Sequence, residues 1–234
     1  MARVQGVKEK LHSPIYDAFF VPGIAGATPA KKFSEVMTDP RAIRFFVDVQ
    51  NKTRLETNLQ AAGVLPSLNN FEARALRVVV SNPPCLIETD LIMAAGHRYF
   101  GYTGKEKGAA GQAFVKEIQD LCSQSCAQVS SILAELIYNS VTTLLVGEKT
   151  MIEMPTYFFP AGAGVSPGNG AVINHGEPDP MATFRFSEPV TIEPQQNFRV
   201  EIVFPRDVPK VVADAIGPLR IWVVLDGYLT RDVQ

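Results

Sequence analysis

Residues 197–204 read NFRVEIVF. Phe198, Val200, Ile202 and Phe204 recur at every second position, with Arg199 and Glu201 between them. A period of two belongs to a strand, whose successive side chains point to opposite faces, so one face of this segment is expected in a core. A helix cannot use the pattern, because residues two apart lie on nearly opposite sides of its axis.

The neighbouring segments extend the β reading in both directions. LRIWVVLDGYL (219–229) is a strongly apolar strand carrying the only tryptophan, Trp222, which is expected in the core because both faces of the strand are apolar. TFRF (183–186) and VTI (190–192) are expected as short strands broken by Pro189. SVTTLLVGEKTMIEMP (140–155) reads as a hairpin turning at Gly147-Glu148-Lys149. Further upstream, FEARALRVVVS (71–81) and IRFFVDV (43–49) complete the strand candidates, with CLIETDLIMAAGHRYF (85–100) as another strand or a covering segment. One segment has the other period. Between 112 and 138, Phe114, Ile118, Leu121, Cys122, Val129, Ile132, Leu133, Leu136 and Ile137 recur at three- and four-residue steps, and Asn139 can end the helix in a left-handed turn. The sum is an all-β chain with one long helix. About eight antiparallel strands with long Pro/Gly-rich connections suggest a jelly-roll β-sandwich or barrel of two four-stranded sheets. The missing βαβ rhythm argues against a doubly wound fold.

Length and composition allow this. The chain has 234 residues, 46% hydrophobic, enough for one large all-β domain with a real core. Net charge is −2, with nine Lys/Arg against six Asp/Glu in residues 1–60, so neither a basic nucleic-acid binder nor a polybasic arm is indicated. Residues 1–45 read differently from the rest: SPIYDAFFVPGIAGATPAKKF (13–33) mixes Pro, Gly and Ala with Tyr16, Phe19 and Phe20 and shows no sustained period. A disordered tail is usually poor in aromatics. The expectation is therefore an extended N-terminal arm over 1–45, docking its aromatics onto its own barrel or a neighbouring subunit, followed by a single jelly-roll domain over 46–234.

Catalytic patterns fail on inspection. Gly164-Val165-Ser166-Pro167-Gly168 fits the G-x-S-x-G of a nucleophile elbow, but Pro167 lacks the N–H that would hold an oxyanion. No helix can start in the GNGAVINHGEPDP that follows, and no carboxylate separates Ser166 from His175. The surrounding 160–180 stretch reads as a surface loop. Cys122 and Cys126 would share a helix face, but Cys85, His97 and His175 are scattered and cannot complete a zinc site. His175 and Glu177 would suit a metal inside a cupin-like jelly roll, yet Gly176 and Pro178 make their segment a loop and no second histidine lies nearby. GAGVSPGNG has no lysine for a phosphate-cradling loop. The start, MARVQGVKEKLHSP, has no apolar signal core, and no apolar run reaches membrane-spanning length. No catalytic residue, cofactor or metal ligand is expected, which favours a structural or interaction protein over an enzyme.

Four segments in order resemble the jelly-roll major capsid proteins of tailless icosahedral prokaryotic viruses. TRLETNLQAAGVLPSLNNFEARALRVVVS (53–81) is similar to the entry to their first barrel strand, and NSVTTLLVGEKTMIEMPTYFFPAGAG (139–164) to their central hairpin and the loop after it. TFRFSEPVTIEPQQNFRVEIVFP (183–205) resembles the next strands, and LRIWVVLDGYLTRDVQ (219–234) the closing one, with its L-D-G and terminal R-x-V-Q. The resemblance spans roughly residues 50–234. It implies a single upright β-barrel of a virion, made in a host cytoplasm, whose function is self-assembly into homo-oligomeric capsomers and an icosahedral shell. It leaves open a second capsid or penton protein in that shell and an internal membrane, and implies no sequence-specific nucleic-acid partner. Tyr16, Phe19 and Phe20 are the assembly candidates. The alternative is a jelly-roll module binding carbohydrate or another ligand through Tyr157, Phe158 and Phe159.

Overall fold

The computed structural model describes residues 8–23, 31–81, 131–162, 181–215 and 217–232. Nine strands lie among them: β1 (Lys8–His12), β2 (Ile15–Val21), β3 (Ala42–Phe45), β4 (Asn70–Val80), β5 (Val141–Val146), β6 (Lys149–Pro155), β7 (Phe184–Ile192), β8 (Phe198–Val203) and β9 (Leu219–Asp232). Short helices α1 (Phe33–Val36) and α3 (Lys210–Ala213), helix α2 (131–138) and a 3-10 turn (Thr156–Phe158) complete the described elements.

The pairing defines the architecture. β2 pairs with β9, β3 with β8, β4 with β7 and β5 with β6, all antiparallel. Strands β2 to β5 thus run out along one arm of a long hairpin, and β6 to β9 run back along the other. Rolling that hairpin brings β4 beside β9 and β5 beside β8. The result is two antiparallel sheets, β1-β9-β4-β7 with β2 also on β9, and β3-β8-β5-β6. This is a jelly roll, and the expected fold class holds.

The core lies between the sheets, as the alternation in 197–204 requires. Phe198, Val200, Ile202 and Phe204 are at most 2% exposed, and Leu219, Ile221, Val223 and Leu225 of β9 are fully buried in the same apolar cluster. Each such side chain contributes about 1.5–3 kcal/mol by leaving water. The β5–β6 hairpin turns at Gly147-Glu148, where Gly147 takes φ 60°, the left-handed backbone that a two-residue turn needs.

Three expectations are refined or corrected. First, the described residues within 1–45 are built into the two sheets: β1 and β2 both pair with β9, consecutively along its length, and β3 is the edge of the second sheet. Second, TFRF and VTI form one strand, β7. Ala73 of β4 faces Val190 and Ala75 faces Arg185, so 186–189 leave the ladder as an excursion. Pro189 is tolerated there because β7 is an edge strand and the excursion asks no N–H of it. Third, Trp222 is not in the core. The alternation of β9 gives the inward positions to 219, 221, 223 and 225, so Trp222 lies on the outer face, where its Nε1 donates to Leu55 O at 3.0 Å. Of the expected 112–138 helix, 131–138 is helical with Leu136 fully buried; the remainder lies outside the described residues.

A buried hydroxyl relay joins the end of α2 to the hairpin. Ser140 Oγ donates to Leu136 O at 2.6 Å, so its single proton is committed. Thr156 must then donate to Ser140 Oγ across 2.7 Å, and Thr142 to Thr156 Oγ1 across 2.9 Å. Thr156→Val leaves the buried Thr142 hydroxyl without its acceptor and Ser140 without its donor. Urea unfolding is expected to show a loss of about 1–3 kcal/mol, the desolvation cost of stranding such groups.

Candidate assembly surface

The three N-terminal aromatics sit on β2, and each has a partner within its own chain. Phe19 meets Phe33 edge-on at 5.4 Å and packs against the core. Phe20 faces outward beneath the Arg220 guanidinium, 4.2 Å from its ring centre. Tyr16 donates its hydroxyl to Arg54 O, while its backbone is bracketed by the 57–58 segment: Tyr16 N–H donates to Asn58 Oδ1 at 3.0 Å, and Thr57 Oγ1 donates to Tyr16 O at 3.1 Å. Asn58 Nδ2 also donates to Pro14 O at 2.8 Å. These bonds cover part of the free edge of β2, a common way of protecting an edge strand. Of the two docking modes expected for these rings, the structure provides the one on their own barrel.

A different aromatic group is exposed. Tyr157 and Phe158, in the 3-10 turn after β6, stack at 4.6 Å with 28° between ring planes, and Tyr138 at the end of α2 stacks on Tyr157 at 5.9 Å and 30°. Their exposures are 48%, 43% and 70%, so this is surface, not core. The hydroxyl relay holds both contributing elements together, through Thr156 on one side and Leu136 on the other. Phe159 goes the other way: it is 2% exposed, meets Phe184 edge-on at 5.3 Å, and its carbonyl accepts from Val78 N–H at 3.2 Å. The expected trio of 157–159 is thus split by a turn, and Tyr138 takes the third exposed place. The only hint of Tyr138 in the sequence is that it falls off the apolar stripe at the helix terminus.

One buried charge stands out. Asp17 of β2 is fully buried, and both its oxygens meet Lys52 Nζ, at 2.8 and 2.9 Å, while Oδ2 also accepts from Phe46 N–H at 2.7 Å. Burial pushes its carboxyl above the ordinary value of 3.8; Lys52 and the Phe46 and Ala18 amides pull it back only in part. A buried acid with a raised pKa is a catalytic candidate only in a cleft. Here the carboxylate is saturated by its partners and fixes Phe46, whose φ of 69° is unusual for a side chain of that size. Its role is to tie β2 to the end of β3.

Among the described residues no three His, Cys, Asp or Glu side chains group as metal ligands, and no helix is long and apolar enough to cross a membrane. Cys85, His97, Cys122, Cys126, Ser166, His175 and Glu177 lie outside the described residues, as does most of the 160–180 loop. Compared with known proteins, the chain matches no family model, no curated protein and no solved structure.

Proposed function

We propose that this chain is a capsid subunit whose function is self-assembly into capsomers and an icosahedral shell. The observation that carries the reading is the ridge of Tyr138, Tyr157 and Phe158, stacked and exposed on a jelly roll. Jelly rolls recur in viral capsids, lectins and cupins. Aromatic side chains that a subunit leaves in water are the usual anchors of protein interfaces, where they contribute most of the binding energy. The principal partner is a second copy of the chain, with room in the shell for a second capsid or penton protein, and the location is the virion. The near-neutral charge fits a coat that does not itself condense nucleic acid.

The test is the mass of the purified protein by light scattering over rising concentration, with electron microscopy of the same sample. Rings, capsomers or shells are expected. The double variant Tyr157→Ser/Phe158→Ser should weaken association at least about tenfold, the scale of removing hot-spot side chains, without lowering the melting temperature. A wild type that stays monomeric throughout overturns the reading.

The second reading, a carbohydrate- or ligand-binding module, draws on the same exposed rings. Their geometry favours it less: at 4.6 Å and 28°, Tyr157 and Phe158 cover part of each other's faces, whereas a sugar platform needs open ring faces. A monomer that binds a glycan, and loses it in the same double variant, would establish it instead.

A further inference from the structure

We infer that the outer face of the five-stranded sheet carries a binding site for an acidic sugar, one bearing a carboxylate or a sulfate ester. The site does not depend on the assembly reading. It arises where two irregularities coincide: β4 bulges at Arg74, and 186–189 of β7 leave the ladder opposite it. Between them opens a cleft of roughly 610 Å³, within the range of small-molecule sites and far larger than a bare inorganic anion needs.

The cleft is lined by three arginines in different states. Arg77 is locked: it donates to both oxygens of Asp226, at 2.6 and 3.0 Å, and to Ala161 O at 3.2 Å. Gly162 closes against it so tightly that a Cβ there would lie 2.8 Å from Arg77 Cδ. Arg74 is held by Glu72 at 2.5 and 2.7 Å, and its guanidinium sits 4.9 Å from the centre of the Tyr228 ring. Glu72 also takes Lys10, and Lys10 and then Arg74 hold its carboxyl below the usual range, so the acid next to Arg74 stays ionised and committed. Arg185 differs from both: it lines the cleft, is exposed, and has no partner among the described residues. Among the described residues it is the guanidinium of the cleft left to take an incoming anion in a bidentate pair.

The remaining lining favours a sugar over a simple anion. Thr183 and Ser187 offer hydroxyls, and Asp226 retains acceptor capacity beyond its two bonds to Arg77. A carboxylate in the wall disfavours a polyanion but accepts from sugar hydroxyls. Phe186 and Pro189 supply an apolar wall for a pyranose face.

The experiment is calorimetric titration of the full chain with galacturonate, glucose 6-sulfate, galactose and inorganic sulfate, with light scattering on the same samples. Both acidic sugars are expected to bind, and galactose and sulfate at least about tenfold more weakly, since each lacks either the charge-assisted contact or the hydroxyls. Arg185→Gln, which removes no described contact, should weaken the acidic sugars at least about tenfold while leaving the melting temperature and particle mass unchanged. Failure of both acidic sugars to bind at millimolar concentration, indifference to Arg185→Gln, or sulfate binding as tightly as glucose 6-sulfate each overturns the inference. None of these outcomes bears on assembly, which the scattering reads separately.

Discussion

Asp17→Ala is expected to lower the unfolding free energy by about 3–5 kcal/mol, the usual cost of breaking a buried ion pair by removing one partner. The loss has two parts. Lys52, whose side chain is only 21% exposed, keeps its charge without a counterion. The Phe46 N–H, on a fully buried residue with left-handed backbone, loses its acceptor. Asp17→Asn is the control. An amide oxygen can still accept from the Phe46 N–H, and burial makes the charge itself a net cost, so the asparagine variant should lose no more than about 1 kcal/mol. Urea denaturation of the three proteins at one pH gives both values, and an alanine variant within about 1 kcal/mol of wild type would show that the pair does not fix β2 to β3.

The same carboxyl predicts an unusual pH dependence. Its native pKa is raised, so the folded state binds this proton more tightly than the unfolded state does. Its stabilising contribution is therefore fully present below the unfolded value of 3.8 and is lost as pH rises through the native pKa. The stability of wild type relative to Asp17→Asn should fall across that window and then level off. Comparing the two at each pH cancels groups of opposite sign, such as Glu72, whose lowered pKa makes its contribution disappear as pH falls. A difference that stays flat, or grows with pH, would mean that Lys52 outweighs burial.

Asp17 also explains why the first strand of the roll was illegible. In IYDAFFV the inward positions are 15, 17, 19 and 21, and the acid at 17 breaks the apolar face that a period search relies on. Its partner is 35 residues away, and no local pattern announces it. Strands with intact alternation, β8 above all, could be read directly, and so could the β5–β6 hairpin, whose glycine the turn requires. Where both faces are apolar, as in β9, the segment reads as a strand but not in its orientation, so nothing in its composition tells that Trp222 points outward. Pro189 suggested two strands because a proline in a ladder is costly, and only the unpaired excursion opposite β4 removes that cost. The aromatic run 157–159 was visible as a cluster; which ring turns inward is set by a 3-10 turn and the hydroxyls beneath it, not by composition.

Gly227→Ala should be nearly as damaging as Asp17→Ala, for a reason that separates it from Gly147. Gly147 needs its left-handed φ, but a Cβ there would touch nothing, so alanine costs only about 1 kcal/mol of backbone strain. Gly227 has no such φ; its constraint is space. It lies on β9 opposite Ala73, where β4 bulges, and a Cβ would come within 2.1 Å of Glu72 O and 2.8 Å of Phe71 Cζ. The first neighbour is backbone of a strand paired on both sides, and the second is a fully buried ring, so neither can yield cheaply. A loss of at least about 3 kcal/mol is expected for alanine, the upper end of overpacking costs, and valine should not give soluble folded protein. Urea midpoints and soluble yield read the effect, and an alanine variant of unchanged midpoint would rule out this close approach of β9 to β4. The consequence reaches the cleft. Asp226, one residue earlier, holds Arg77, and the bulge beside Gly227 falls at Arg74, next to Ala75, which faces Arg185. Leu225, Asp226 and Gly227 therefore act as one unit: an inward core residue, an outward anchor, and the absence of a side chain where β4 bulges against β9.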